Sequence, residues 1–167
     1  MFIVYVTGCT GHPNPSRLTW TSTPAVQKAS NAYFEVSLAP VKLGNNYFAA
    51  FQITIVNKTD GDLFIDWNKT LYLYDKKSYG VFVFKGIEPS TVKSATVPPD
   101  LVPAGGQLLK EVMPYKLVAW MPIEKGAPGD ESIRPGIIPK GDNGISLCIK
   151  KGKKIIVEKL FVQITGE

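Results

Sequence analysis

The chain has 167 residues, 44% of them hydrophobic and 20% charged, with a formal net charge of +5. That length and balance exclude a wholly disordered chain and suit one folded domain carrying a tail. Two cysteines and a single histidine are too few for a disulfide scaffold or a zinc ribbon, and no apolar run reaches the roughly 18–20 residues of a membrane span. A Ser-His-Asp or Cys-His site would require His12 to fold back from the tail onto the domain. The modest basic excess favours anionic surfaces and falls short of the clustering expected of a nucleic-acid site.

The first residues, Met1-Phe2-Ile3-Val4-Tyr5-Val6, are apolar and run into Thr7-Gly8-Cys9. Val6-Thr7-Gly8-Cys9 resembles the bacterial lipobox, in which an aliphatic residue and two small ones precede a cysteine that takes a lipid. The resemblance implies cleavage ahead of Cys9, lipidation of Cys9 and attachment to a membrane through that lipid. No basic stretch leads it, and the apolar part is shorter than the roughly 7–15 residues of a secretory signal, so a truncated signal is expected. A hydrophobic tail with a chance cysteine, or a first strand, would also account for the segment. Thr10-Gly11-His12-Pro13-Asn14-Pro15-Ser16 reads as a flexible tether. Residues 1–32 are accordingly assigned to the start and tether, and residues 33–167 to the domain.

Period-two alternation dominates the domain. Phe51, Ile53 and Ile55 alternate with Gln52 and Thr54, and the Asp60-Gly61-Asp62 turn ends the run. Leu63, Ile65 and Trp67 alternate around Phe64 and Asp66. Leu71 and Leu73 alternate with Tyr72 and Tyr74, and Val81 and Val83 with Phe82 and Phe84. Further runs occupy residues 107–113, 117–121, 145–149 and 155–165, the last two joined by a hairpin turn at Lys150-Lys151-Gly152-Lys153-Lys154. The pattern predicts an all-β, immunoglobulin-like antiparallel sandwich of about seven to nine strands. Residues 88–106 and 122–144 are rich in proline and glycine and predict long loops, of the kind that are usually functional or mobile.

Val56-Asn57-Lys58-Thr59, then Leu71-Tyr72-Leu73-Tyr74-Asp75, then Gly80, resemble the pattern of bacterial envelope domains of the FxLYD type. Leu71 stands where that family has phenylalanine, and the spacing from Asp75 to Gly80 is longer than usual. The resemblance covers roughly a quarter of the chain. It implies an Ig-like sandwich at the cell surface and no catalytic activity, so it transfers no functional residues.

Several groups of residues are candidates for a site. If the aliphatic set faces the core, Phe64, Tyr72, Tyr74, Phe82 and Phe84 form an outer aromatic face for a protein partner or a glycan; a covering loop, or a core that includes these rings, is the plainer reading. Lys150, Lys151, Lys153 and Lys154 could touch phosphates or lipid head groups, or simply form a solvated hairpin tip. Asp60, Asp62, Asp66 and Asn57 are acidic or amide groups of a kind that bind calcium, but their spacing fits an ordinary turn better, and no metal is expected. Cys148 is expected to be a buried, inert thiol, with a Cys9–Cys148 disulfide as the alternative should Cys9 carry no lipid. Asn57-Lys58-Thr59 and Asn68-Lys69-Thr70 match glycosylation sequons.

The expectation is a non-enzymatic, lipid-anchored domain of the cell envelope, without a cofactor, serving protein interaction or surface assembly. The alternatives are a carbohydrate-binding module using the aromatic face and an OB-like nucleic-acid binder, which would need basic residues beside several exposed aromatics on one sheet.

Overall fold

The computed structural model describes residues 19–44, 46–87, 89–120 and 133–166. Its strands are β1 (Trp20–Thr23), β2 (Gln27–Ser30), β3 (Phe34–Leu43), β4 (Tyr47–Asn57), β5 (Leu63–Ile65), β6 (Leu71–Tyr74), β7 (Lys77–Val83), β8 (Asp100–Val102), β9 (Gln107–Pro114), β10 (Ala119–Trp120), β11 (Ile133–Arg134), β12 (Gly141–Lys151) and β13 (Lys154–Gly166). A single short helix, α1 (Pro89–Lys93), and a 3-10 turn at Tyr115–Leu117 complete the described elements. The fold is all-β and sandwich-like, as the alternation predicts.

Eleven strands share one antiparallel sheet, in the order β1-β13-β12-β6-β7-β9-β4-β3-β2, with β5 and β8 branching from β12. The sheet folds over at the β7–β9 pairing into two layers, one built on β12 and β13 and the other on β3, β4 and β9. Its two ends, β1 and β2, are consecutive in the chain and separated only by residues 24–26. Inward side chains of both layers meet in one core: Phe34, Val36 and Leu38 from β3, Phe51, Ile53 and Ile55 from β4, and Ile145, Leu147 and Ile149 from β12, among others. Alternation places them there, because every second side chain of a strand points to the same face.

β12 departs from simple alternation, since Asn143 through Ile149 are buried without a break. One edge of β12 pairs with β13 along its whole length, and the other pairs with β5 and β6 in succession. β5 and β6 are thus two pieces of one broken strand, interrupted by a turn in which the amides of Lys69 and Thr70 return to the Asp66 carbonyl. The outward residues of β12 are the small Gly144, Ser146 and Cys148. Phe161 of β13 lies over Gly144, where an added Cβ would stand 2.7 Å from its Cδ1 and 2.3 Å from the Leu160 carbonyl oxygen.

Three sequence expectations are corrected. β1 and β2 belong to the sheet, so the folded body reaches back to Trp20 rather than beginning at residue 33; these strands are short and largely polar, and leave no hydrophobic period. The proline-rich stretch 88–106 holds α1 and β8. The stretch 122–144 overlaps β11 and the start of β12, while residues 121–132 lie outside the described residues. Nine strands follow one another along the sheet path, and the three-residue β5 and β8 pair beside it.

The Gly144→Ala substitution is expected to cost about 1–3 kcal/mol, since backbone and a packed ring leave no room for the methyl group. Gly61→Ala, whose Cβ would meet only the flexible end of Lys151 at 3.6 Å, should change stability by less than about 0.5 kcal/mol. Urea denaturation of both variants measures the difference.

Candidate functional site

The expected aromatic face does not form. Tyr72 and Phe82 are buried in the core with Phe51, at ring-centroid distances of 6.2 and 6.4 Å from it. The register shift between Tyr72 and Leu73 in the β6–β7 pairing accompanies this arrangement, and Leu71 and Val81 are the side chains left half-buried. Tyr72 donates to the Asn143 Oδ1, and Asn143 Nδ2 donates to the carbonyls of Pro139 (2.8 Å) and Gly141 (2.9 Å). Burial pushes the Tyr72 phenol pKa well above its usual value, with Tyr74, Tyr79 and Asp75 adding to the effect. Tyr74 is half-buried and donates to the Lys140 carbonyl at 3.1 Å. Phe84 is half-buried against Trp67, 5.2 Å between centroids. Of the five rings only Phe64 stands well exposed.

Phe64 belongs instead to another surface, the outer face of the layer built on β12 and β13. Strand register places Leu101 opposite Phe64, Phe64 opposite Lys150, and Lys150 opposite Ile155, so these four side chains form one row across β8, β5, β12 and β13. In the next row Val157 is opposite Cys148. Leu101 is 48% exposed, Phe64 39%, Ile155 53% and Val157 55%. Single exposed hydrophobics are ordinary in a folded protein; these four share one sheet face, with Lys150 between Phe64 and Ile155. Cys148 is buried beneath this group, and its thiol pKa is raised by burial and by Asp66, an effect that Lys69 and Lys150 partly oppose.

The four lysines of the β12–β13 hairpin do not act together. Lys150 lies on the outer face and pairs with Asp66 at 2.8 Å; that hydrogen bond and the carboxylate charge raise its pKa. Lys153 is exposed in the turn. Lys151 and Lys154 turn toward Tyr33, at 6.0 and 4.5 Å from its ring, and Lys154 also hydrogen-bonds the phenol oxygen. Lys151 further pairs with Asp60 at 3.5 Å.

The acidic and amide groups are likewise dispersed. Asp62 accepts from the Ala104 amide, while Asp60 and Asp66 each face a lysine. Asn57 is buried, donating to the carbonyls of Gly61, Val102 and Pro103 and accepting from Thr59. Asn68 exchanges two hydrogen bonds with the Val97 backbone. Both sequon asparagines therefore spend their amides inside the fold. Among the described residues no group of three His, Cys, Asp or Glu side chains is placed to hold a metal. Cys9 and His12 lie outside the described residues.

Sequence reasoning missed a second polar cluster. Trp67 Nε1 donates to Asp100 at 2.8 Å, and Lys110 pairs with the same carboxylate while its ammonium sits 3.5 Å from the Phe84 ring centroid and 5.2 Å from that of Trp67. This cluster ties β8 and β9 to the aromatic groups after β5 and β7. Its members are far apart in sequence, and no local pattern announces it. Leu101, Ile155 and Val157 escaped notice as a group for the same reason: only the register joins them to Phe64.

Comparison with protein-family models, with curated proteins and with solved structures gives no match.

Two measurements follow from these contacts. Asn57→Ala removes the side-chain donor to the Val102 and Pro103 carbonyls and one of two donors to the Gly61 carbonyl, and should cost about 1–3 kcal/mol in denaturant unfolding. The Lys154 hydrogen bond and charge lower the Tyr33 pKa. A lowered folded value means that the contact stabilises the fold increasingly as pH rises through that value, with the gain complete at the unfolded tyrosine value of about 10 and lost as pH falls. Phenolate absorbance should show one tyrosine ionising ahead of the others, and Lys154→Ala should return it to the ordinary range.

Proposed function

We propose that the protein is a non-enzymatic binding domain of the cell envelope, held to a membrane by a lipid on Cys9 and acting through the outer face of β5, β8, β12 and β13. The observation that carries the binding role is the row of Leu101, Phe64 and Ile155, with Val157 beside it, on one sheet face. Leaving apolar area of this kind in water forgoes about 25 cal/mol per Å² that burial against a partner would recover. The lipobox-like Val6-Thr7-Gly8-Cys9 supports the anchor, and the tether after it supports a domain displayed from a surface. The aromatic platform required by a glycan module is missing, because Tyr72 and Phe82 are in the core. One exposed ring beside Lys150 is also too little to stack successive bases, as an OB-like binder does.

A photoreactive residue placed at Val157 in the cell should give a discrete crosslinked species, and one placed at Glu111, exposed on the other layer, should not. Equal crosslinking from both positions, or none from Val157, would remove the binding role. Mass analysis should find a lipid on Cys9, and Cys9→Ser should release the protein from the membrane fraction. An unmodified thiol at Cys9 would remove the anchor while leaving the binding role to the crosslinking result.

A further inference from the structure

We infer that the outer face of β5, β8, β12 and β13 rests on an anionic lipid bilayer. The inference builds on the reading of that face as the protein's contact surface, and it names the partner. Three features of the face point to lipid.

The first is charge. Lys150 sits within the apolar row, Lys159 follows Val157 on the same side of β13, and Lys69 is close enough to Cys148 to influence its thiol. Lys69 and Lys159 are exposed and form no ion pair with a described residue; Asp66, beside the apolar row, is engaged by Lys150, and Asp142 stands at the far end of β12, opposite Gln163. Two lysines without an ion pair among the described residues thus flank the apolar group. A second copy of the chain packed row on row would set these lysines close to their own counterparts. An anionic surface complements them.

The second feature is the position of Lys150. It stands between Phe64 and Ile155, and its ammonium is held by Asp66 at 2.8 Å. A close-packed protein partner over this row would strip water from the ion pair, which is costly unless new polar partners replace it. At a lipid interface the ammonium stays at the hydrated head-group level. The stem of the lysine then lies along the apolar neighbours that reach the acyl boundary.

The third is the place where the chain enters. β1 pairs with the C-terminal end of β13, so the chain ahead of Trp20 joins the same layer that carries the face. Ten residues, 10–19, separate Cys9 from Trp20. Fully extended they span at most about 35 Å, enough for a lipid on Cys9 and the sheet face to engage one membrane.

The test uses the full-length chain carrying Cys9→Ser, so that no lipid on the protein contributes, and vesicles of phosphatidylcholine alone or mixed with phosphatidylglycerol. Sedimentation should show binding to the mixed vesicles, weakened by salt, and little to phosphatidylcholine. Phe64→Ser with Val157→Ser should lower partitioning by at least about tenfold. Lys69→Gln and Lys159→Gln should each lower it by roughly fivefold. Leu109→Ser with Lys28→Gln, on the other layer, should leave it unchanged, and inorganic phosphate at matched ionic strength should not displace the protein. Circular dichroism melts identical to the parent exclude unfolding as the cause of any loss.

Equal binding to neutral vesicles, displacement by phosphate, or insensitivity to the Phe64 and Val157 changes would overturn the inference. Absence of vesicle binding together with a Val157 crosslink to a protein would also overturn it, while leaving the contact-surface reading in place. Absence of both would remove the two readings together.

Discussion

β12 has hydrogen-bonded neighbours on both edges and cover on both faces, and this imposes a constraint on its sequence that the other strands do not share. Inward it needs branched apolar side chains, supplied by Ile145, Leu147 and Ile149. Outward it needs small ones, supplied by Gly144, Ser146 and Cys148, because larger neighbours close over them. Phe161 is the largest, and its ring covers the glycine that makes room for it. The broken strand β5–β6 can dock along the free edge only because the turn between its halves returns two amides to the Asp66 carbonyl. The Asp66 side chain then reaches Lys150, so one residue both shapes the break and fixes the charge on the outer face.

The two layers differ in what they show to solvent. The outer face of the β2–β3–β4 layer carries Lys28, Ser30, Glu35, Ser37 and Thr54 around a shallow groove of about 490 Å³, with the exposed Leu109 of β9 in the same row as Thr54. The outer face of the β12–β13 layer carries Leu101, Phe64, Ile155 and Val157. Sheet twist and core packing act on both layers alike and give no reason for the asymmetry. The contact proposed for one face does. The interior is otherwise closed: among the described residues every buried side-chain nitrogen and oxygen has a hydrogen-bond partner. Polar demand within the core therefore explains none of the surface composition.

Much of the fold was legible in the sequence, and the candidate site was not. The β4 alternation of Phe51, Ile53 and Ile55, the Leu63-Phe64-Ile65 triplet and the β12–β13 hairpin follow from period two and turn chemistry, both of which are local. The buried, inert setting of Cys148 was equally readable, since it falls between two inward residues on a central strand. Alternation by itself could not place Tyr72 and Phe82, because it gives two faces without saying which is inside, and the irregularity between Tyr72 and Leu73 leaves no trace in the pattern. The row from Leu101 to Ile155 joins segments that are distant in sequence through strand register alone. The sequence places the four lysines in one hairpin tip, but the turn is at Gly152 and Lys153, so Lys150 lies inside a strand and faces away from the Tyr33 cluster.

The pairing of β1 with β13 also defines a load path. Trp20 is the first residue of β1; its indole lies against Gly166, and Lys140 bridges the two by approaching the ring at 5.6 Å and donating to the Gly166 carbonyl at 2.7 Å. Tension on the chain ahead of Trp20 reaches this clasp together with the bond from the Trp20 amide to the Asn46 carbonyl. Once the clasp yields, the short β1 ladder peels one pair at a time up to Thr23, where the chain crosses to the other layer. About 14 Å of slack is released over those four residues at strand rise. The inward residues of β12 and β13 keep their partners throughout, so the domain would lengthen its leash under strain before its core was asked to open.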